Sequence, residues 1–165
     1  VDALAEACTR KPRLILVETP SNPLLRIVDI AAVAELAGAC GALLAVDNTF
    51  LSPALQQPIS LGADLVIHST TKYINGHSDV VGGCVVAATQ QLAEELTWWA
   101  NCLGITGAPF DAFLTLRGIR TLNVRVREHE ATASLLANIL VLLAVLFICT
   151  YVPAIPMSLV EFFYR

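Results

Sequence analysis

The sequence predicts an α/β domain with a mostly parallel sheet and flanking helices. Three short apolar runs, at residues 13–17, 43–46 and 65–67, each end in polar residues, and a stretch of helical periodicity separates the first two. The runs do not alternate between apolar and polar residues, which indicates strands that are covered on both faces and pair in parallel. With 165 residues the chain is long enough for one domain, or for part of a larger one.

The order of the elements follows from local signals. The first strand ends at a loop that contains Pro20 and Pro23. Asp29 stands where it can cap a helix over residues 30–37, and glycines at 38 and 41 mark the end of that helix. Further elements are predicted beyond the third strand: a fourth strand at 82–87, a helix at 90–103, and a long helix or helix pair at 110–140.

The composition excludes some classes of function. A formal net charge of −4 leaves no basic surface of the kind that neutralises a phosphate backbone, which argues against nucleic acid as a partner. Five cysteines without a Cys-x-x-Cys pair cannot close into a complete disulfide framework, so a reducing, cytoplasmic setting is expected. The chain begins without an initiator methionine or a signal segment, and we interpret its first residues as a helix whose upstream sequence is missing.

Polar clusters follow each of the first three strands. They comprise residues 21–22 (Ser-Asn), 47–49 (Asp-Asn-Thr) and 69–72 (Ser-Thr-Thr-Lys). In parallel sheets, ligands bind beyond the carboxyl ends of the strands, where loops and helix N-termini converge. We therefore expect the three clusters to lie side by side and to line one pocket.

The residue types in these clusters suit one kind of cofactor. The Lys72 amine can form a Schiff base, the Asp47 carboxylate can keep a pyridine nitrogen protonated, and neighbouring hydroxyls can bind a phosphate. A protonated pyridine ring withdraws electrons from a carbanion at the substrate carbon. Removal of Asp47 is therefore expected to impair chemistry more than folding.

Each assignment has a structural alternative. A lone lysine in a loop is usually a solvated surface residue. Asp47 can instead cap a turn, and the hydroxyls at 69–71 can cap the local backbone. The three histidines, at positions 68, 77 and 129, have no ligand-like spacing, so no metal site is expected.

Several motifs resemble the trans-sulfuration (Cys/Met metabolism) family of enzymes that depend on pyridoxal 5'-phosphate (PLP). They are residues 17–23 (Val-Glu-Thr-Pro-Ser-Asn-Pro), 46–50 (Val-Asp-Asn-Thr-Phe) and 68–73 (His-Ser-Thr-Thr-Lys-Tyr) followed by 76–79 (Gly-His-Ser-Asp). The motifs match in order and spacing, over roughly residues 11–140. The resemblance implies a fragment of the large domain of a fold-type I (aspartate aminotransferase-like) PLP enzyme.

The resemblance also implies a role for six residues. These are Lys72 as the Schiff-base lysine, Asp47 at the pyridine nitrogen, Ser69 and Thr71 at the phosphate, Asn22 at the ring hydroxyl and Thr49 against the ring. Lys72 is the implied catalytic residue, because its freed amine moves protons between substrate carbons. The family's phosphate-binding glycine turn, its ring-stacking tyrosine and its carboxylate-binding arginine cannot be assigned in this chain.

Within the family, three later segments are most similar to the cystathionine gamma-synthases: 98–101 (Trp-Trp-Ala-Asn), 104–107 (Gly-Ile-Thr-Gly) and 110–111 (Phe-Asp). The implied reaction is gamma-replacement, in which an O-acyl-homoserine loses its acyl group and cysteine adds to give cystathionine, a step of methionine biosynthesis. The alternatives are a cystathionine or methionine gamma-lyase of the same family, and a non-catalytic fragment that at most binds a homologous subunit. The family implies a homotetramer.

The chain is predicted to have two parts. Residues 1–125 are interpreted as the central part of the PLP-binding large domain, and residues 126–165 as a linking helix into a truncated or aberrant apolar C-terminal segment. Residues 131–160 contain no charged side chain and are long enough to cross a bilayer. Their prolines and the lack of an orienting Lys/Arg cluster argue against a membrane span. We instead expect an exposed apolar tail that promotes aggregation.

Overall fold

The computed structural model describes residues 2–152 and 154–164. In chain order, the elements are α1 (Asp2–Cys8), β1 (Leu14–Glu18), α2 (Ile30–Cys40), β2 (Leu43–Asp47), α3 (Ser52–Leu55), a 3-10 helix (Pro58–Leu61), β3 (Leu65–Ser69), β4 (Gly83–Ala87), α4 (Gln90–Leu103), α5 (Pro109–Arg120), α6 (Leu122–Tyr151) and α7 (Ala154–Tyr164). The chain divides into two compact units, Val1–Asn123 and Val124–Arg165.

The four strands form one sheet in the order β1-β2-β3-β4. β1 pairs with β2, and β2 with β3, in parallel, so the predicted mostly parallel α/β fold is confirmed. β4 pairs with β3 in the antiparallel direction. Residues 70–82 connect β3 to β4 without a helix, whereas a parallel partner is usually reached through a crossover helix.

Helix α2 covers one face of the sheet and supplies much of the core. The Asp29 side chain accepts a hydrogen bond from the Ala32 N–H at 3.1 Å and caps the helix, as predicted. Gly41 ends it with a φ of 74°, a conformation that favours glycine. Val33 packs in one buried cluster with Leu44 of β2, which is 0% exposed. Burying each such side chain contributes about 1.5–3 kcal/mol.

The helical stretch predicted at 110–140 is a helix pair, α5 and α6, separated at Thr121. α6 contains an 18-residue window with a mean hydropathy of 2.5, none of which is buried. Among the described residues it is the one helix long and apolar enough, by length and composition, to cross a membrane. The apolar C-terminal unit therefore consists of two helices whose apolar side chains are largely exposed.

Candidate active site

The carboxyl ends of β1, β2 and β3 lie side by side at one edge of the sheet. In the register, Glu18 is opposite Asp47, and Asp47 is opposite Ile67. Asp47 is the last residue of β2, and Ser69 is the last residue of β3. The polar clusters that follow the strands therefore start at neighbouring positions.

A chain of hydrogen bonds joins four of the predicted site residues. The Asp47 Oδ1 accepts from the Thr49 N–H at 3.0 Å, and the Thr49 Oγ1 accepts from the Ser69 N–H at 2.8 Å. The Ser69 Oγ lies 2.7 Å from the Thr71 Oγ1, so these two hydroxyls share a hydrogen bond. All four side chains are half-buried. The structure thus places one carboxylate and three hydroxyls in a single connected group.

Lys72 directly follows this group in the chain. Its side chain is exposed, while its carbonyl oxygen accepts a hydrogen bond from the Gly76 N–H at 2.8 Å. A second hydrogen bond spans Lys72, because the Asn75 N–H donates to the Thr70 carbonyl oxygen at 3.0 Å. We name residues 70–76 the lysine turn. These two bonds fix the backbone of Lys72 while its amine stays open to solvent.

The structure does not join Asn22 to the hydrogen-bonded group. Asn22 is exposed, and its backbone N–H donates to the Glu18 Oε2 at 3.3 Å. This hydrogen bond links Asn22 to the last residue of β1. Hydrogen bonds therefore join the clusters at residues 47–49 and 69–72. The cluster at residues 21–22 follows the neighbouring strand but, in the part of the chain that the structure describes, has no such bond to them.

Asn48 is a structural residue inside a predicted functional cluster. It is 0% exposed, its Nδ2 donates to the Gln56 carbonyl oxygen at 2.8 Å, and its Oδ1 accepts from the Gln56 Nε2 at 2.9 Å. The Gln56 Nε2 also donates to the Thr19 carbonyl oxygen at 3.0 Å. Gln56 thereby ties together the loops after β1 and β2. No sequence motif marked Gln56, because its role depends on partners far along the chain.

His68 is buried beside the site, at 4% exposure. Among the described residues its Nδ1 has no hydrogen-bond partner. Burial lowers the pKa of the imidazole from its ordinary value, and the negative charge of Asp47 and a backbone hydrogen bond to Asn48 oppose this shift only in part. The ring is therefore neutral at pH 7.

Acidification is expected to destabilise the fold through His68. Above about pH 6.5 the ring is neutral in both the folded and the unfolded chain, so it imposes no cost. Below that pH the unfolded chain binds a proton that the folded chain excludes, because the folded pKa is lower. The free energy of unfolding should then fall by at most about 1.4 kcal/mol per pH unit until the folded pKa is reached.

Urea denaturation at several pH values between 7.5 and 5 tests this expectation through the variant His68→Gln. The variant should show a shallower loss of stability with falling pH than the unmodified chain. His129→Gln, which replaces an exposed histidine, is the matched control and should keep the original slope. Equal slopes in His68→Gln and the unmodified chain would show that another group causes the acid sensitivity.

Among the described residues, cavities lie beside the sheet whose linings do not include Asn22, Asp47, Thr49, Ser69, Thr71 or Lys72. One, of about 590 Å³, is lined by β3, β4 and α4, including Trp99. Another, of about 370 Å³, is lined by residues that include Asn48, Gln56 and His68. Within residues 2–152 and 154–164, no group of three or more His, Cys, Asp or Glu side chains is arranged to hold a metal ion.

Comparisons with known proteins show the family to which the chain belongs. The sequence pattern of the family described as "Cys/Met metabolism PLP-dependent enzyme" matches residues 1–144. The chain is 56% identical over 138 residues to the cystathionine gamma-synthase of Escherichia coli (strain K12), covering 84% of this chain and 36% of that protein. It is 49% identical over 140 residues to the cystathionine gamma-lyase of Dictyostelium discoideum, covering 85% and 36%.

A solved structure of a cystathionine gamma synthase also resembles this chain in fold and sequence. The cystathionine gamma synthase from Xanthomonas oryzae pv. oryzae, in complex with cystathionine, superposes with a TM-score of 0.82 at 63% identity, over 84% of this chain and 36% of that one. The chain thus spans about 36% of the length of these relatives. The predicted fold-type I large-domain architecture and the family's PLP cofactor are confirmed. This chain belongs to the Cys/Met metabolism PLP-dependent enzyme family.

Proposed function

We propose that the chain carries the cofactor-binding part of a trans-sulfuration enzyme that replaces the acyloxy group of an O-acyl-homoserine with the sulfur of cysteine, giving cystathionine and the free carboxylic acid. The observation that supports cofactor binding most directly is the hydrogen-bonded group of Asp47, Thr49, Ser69 and Thr71 at the strand ends, with Lys72 next in the chain. It contains the amine, carboxylate and hydroxyls that PLP requires.

The polar side chains of the site suit both the phosphate and the pyridine ring of PLP. The hydroxyls of Ser69 and Thr71, 2.7 Å apart, can both turn their protons to one phosphate group. The Asp47 carboxylate keeps a second oxygen for the pyridine nitrogen, since Oδ1 is held by the Thr49 N–H. Because Thr49 also accepts from the Ser69 N–H, it ties the ring-binding residue to the phosphate-binding residue. We assign Asn22 to the ring hydroxyl from the family resemblance.

PLP, when bound, supplies an electron sink for a carbanion at the substrate carbon. Asp47 keeps a proton on the pyridine nitrogen, and a charge-assisted hydrogen bond of this kind contributes about 1.5–3 kcal/mol. Ser69 and Thr71 fix the phosphate end and so orient the ring. Lys72 would hold the cofactor through its amine. Once the amine is free, it would take a proton from one substrate carbon and deliver it to the neighbouring carbon.

A gamma-lyase is the second candidate, because the motifs of the site are common to both activities in this family and the similar proteins include a gamma-lyase. The Trp98-Trp99 segment favours the synthase. We further propose a cytoplasmic enzyme, in agreement with the five cysteines, which are all free thiols in this structure. From the family resemblance we also propose that it assembles as a homotetramer. Formation of cystathionine from cysteine and an O-acyl-homoserine would support the synthase, whereas release of a 2-oxo acid from cystathionine would support the lyase.

Borohydride reduction after incubation with excess PLP tests the site directly. The chain has only two lysines, Lys11 and Lys72, and both are exposed, so Lys11 is an internal control for non-specific labelling. Mass spectrometry of the peptides should find pyridoxyl groups at Lys72 at least about tenfold above Lys11, the ratio that ~1.4 kcal/mol of preferential binding produces. Equal labelling of the two lysines would mean that the motifs do not form a working site, as in a non-catalytic fragment.

A further inference from the structure

Helix α5 approaches the lysine turn more closely than a side chain would allow. Gly118 of α5 is buried, and a Cβ added there would lie 2.6 Å from the Asn75 carbonyl oxygen and 2.8 Å from the Asn75 Cα. It would also clash with the carbonyl oxygen of Ile74. Backbone atoms cannot rotate away as a flexible side chain can. Only glycine at this position permits the observed contact.

The part of the lysine turn that meets Gly118 is itself buried. Ile74 is 6% exposed and Asn75 is 1% exposed, in contrast to the exposed Lys72. The turn is short and hydrogen-bonded at both ends, through Asn75 to Thr70 and through Gly76 to Lys72. Its start is also fixed, because the Thr70 N–H donates to the Gly82 carbonyl oxygen at 2.9 Å. A displacement of residues 74–75 must therefore change the position of the Lys72 backbone.

A second contact joins α5 to the segment after the lysine turn. The Arg117 Nη2 lies 3.4 Å from the Asp79 Oδ2, and both side chains are partly exposed, so screening by water makes the pair weak. Arg117 and Gly118 are adjacent in sequence. α5 thus contacts the chain before Gly76, at the buried backbone of Ile74 and Asn75, and after Gly76, through the surface ion pair with Asp79.

We propose that Gly118 is a positioning residue, which lets α5 hold the lysine turn and so sets Lys72 relative to Asp47, Ser69 and Thr71. The inference rests on the proposed function of Lys72. Gly118 lies outside the hydrogen-bonded group of site residues and acts through the backbone of Ile74 and Asn75. The Lys72 side chain is exposed, so the backbone from which it projects sets the region that its amine can reach.

Gly118→Ala tests the inference, with Gly38→Ala as the matched control. Both glycines lie within helices, but a Cβ at Gly38 meets nothing within 4 Å. In Gly118→Ala, the Lys72:Lys11 ratio of pyridoxyl labelling should fall to near one. Hydrogen exchange at the Asn75 and Gly76 amides should accelerate by roughly tenfold or more, because local opening governs exchange. The amides of β1 and β2 should keep their protection, and Gly38→Ala should change neither readout.

The outcomes separate this inference from the proposed function. Equal labelling of Lys72 and Lys11 in the unmodified chain overturns the proposed function. A preference for Lys72 that persists in Gly118→Ala, with unchanged exchange at Asn75 and Gly76, overturns only the positioning role. If Gly118→Ala loses protection throughout the sheet, hydrogen exchange in the unmodified chain decides. The Asn75 and Gly76 amides should then be protected to a similar extent as the amides of α5 that hold them, and unprotected exchange at Asn75 and Gly76 overturns the inference.

Discussion

Lys72→Ala is expected to abolish the pyridoxyl adduct while leaving the fold intact. The Lys72 side chain is exposed, and its removal takes away no buried contact, so the free energy of unfolding should change by no more than about 0.5 kcal/mol. The adduct requires the amine itself, so no residual labelling at this position is possible. Peptide mass spectrometry after borohydride reduction measures the adduct, and circular dichroism checks the fold.

Two further variants make this result specific. Lys11→Ala removes the other exposed lysine and should leave the adduct at Lys72 unchanged. Lys72→Arg keeps the positive charge and much of the length but has no amine that forms a Schiff base, so it should also lack the adduct. The N-terminal amine is distinguished by the mass of its peptide. If the absorbance of bound cofactor were the same in Lys72→Ala as in the unmodified chain, the assignment of Lys72 would be wrong.

Ending the chain after Glu130 is expected to convert a self-associating protein into a soluble one. Residues 139–148 are apolar at every position, and successive helical residues point about 100° apart, so the apolar surface surrounds the helix. Leu142 is 68% exposed and Phe147 is 61% exposed. Removing such surface from water contributes about 25 cal/mol per Å², which favours association over a monomer.

Sedimentation and gel filtration without detergent measure this effect. The shortened chain, residues 1–130, should remain in the supernatant, whereas the full chain should pellet or elute as large assemblies. As a control of equal length, Leu142→Glu with Phe147→Glu should regain part of the solubility, because charges interrupt the apolar run. A full chain as soluble as residues 1–130 would contradict the expectation. Flotation of the full chain with liposomes would instead show that this segment enters a membrane, against the sequence-based prediction.

The elements that the sequence predicted correctly depend on neighbours along the chain. Asp29 caps α2 through the residue three positions on, and Gly41 ends that helix through its own backbone conformation. The strands were visible as short apolar runs between turn residues, and they appear at Leu14–Glu18, Leu43–Asp47 and Leu65–Ser69. The sequence did not indicate that β4 is antiparallel to β3, because this direction depends on how residues 70–82 return the chain to the sheet.

The candidate site divides in the same way. The sequence by itself determined the residue types and their order at the strand ends, including Asp47, Ser69, Thr71 and Lys72, because a motif is a local pattern. Only the tertiary structure decided which polar residues belong together. Asn48 bonds to Gln56, His68 is buried without a partner at Nδ1 among the described residues, and Gly118 meets Asn75. These relations depend on packing between distant parts of the chain, which no local pattern specifies.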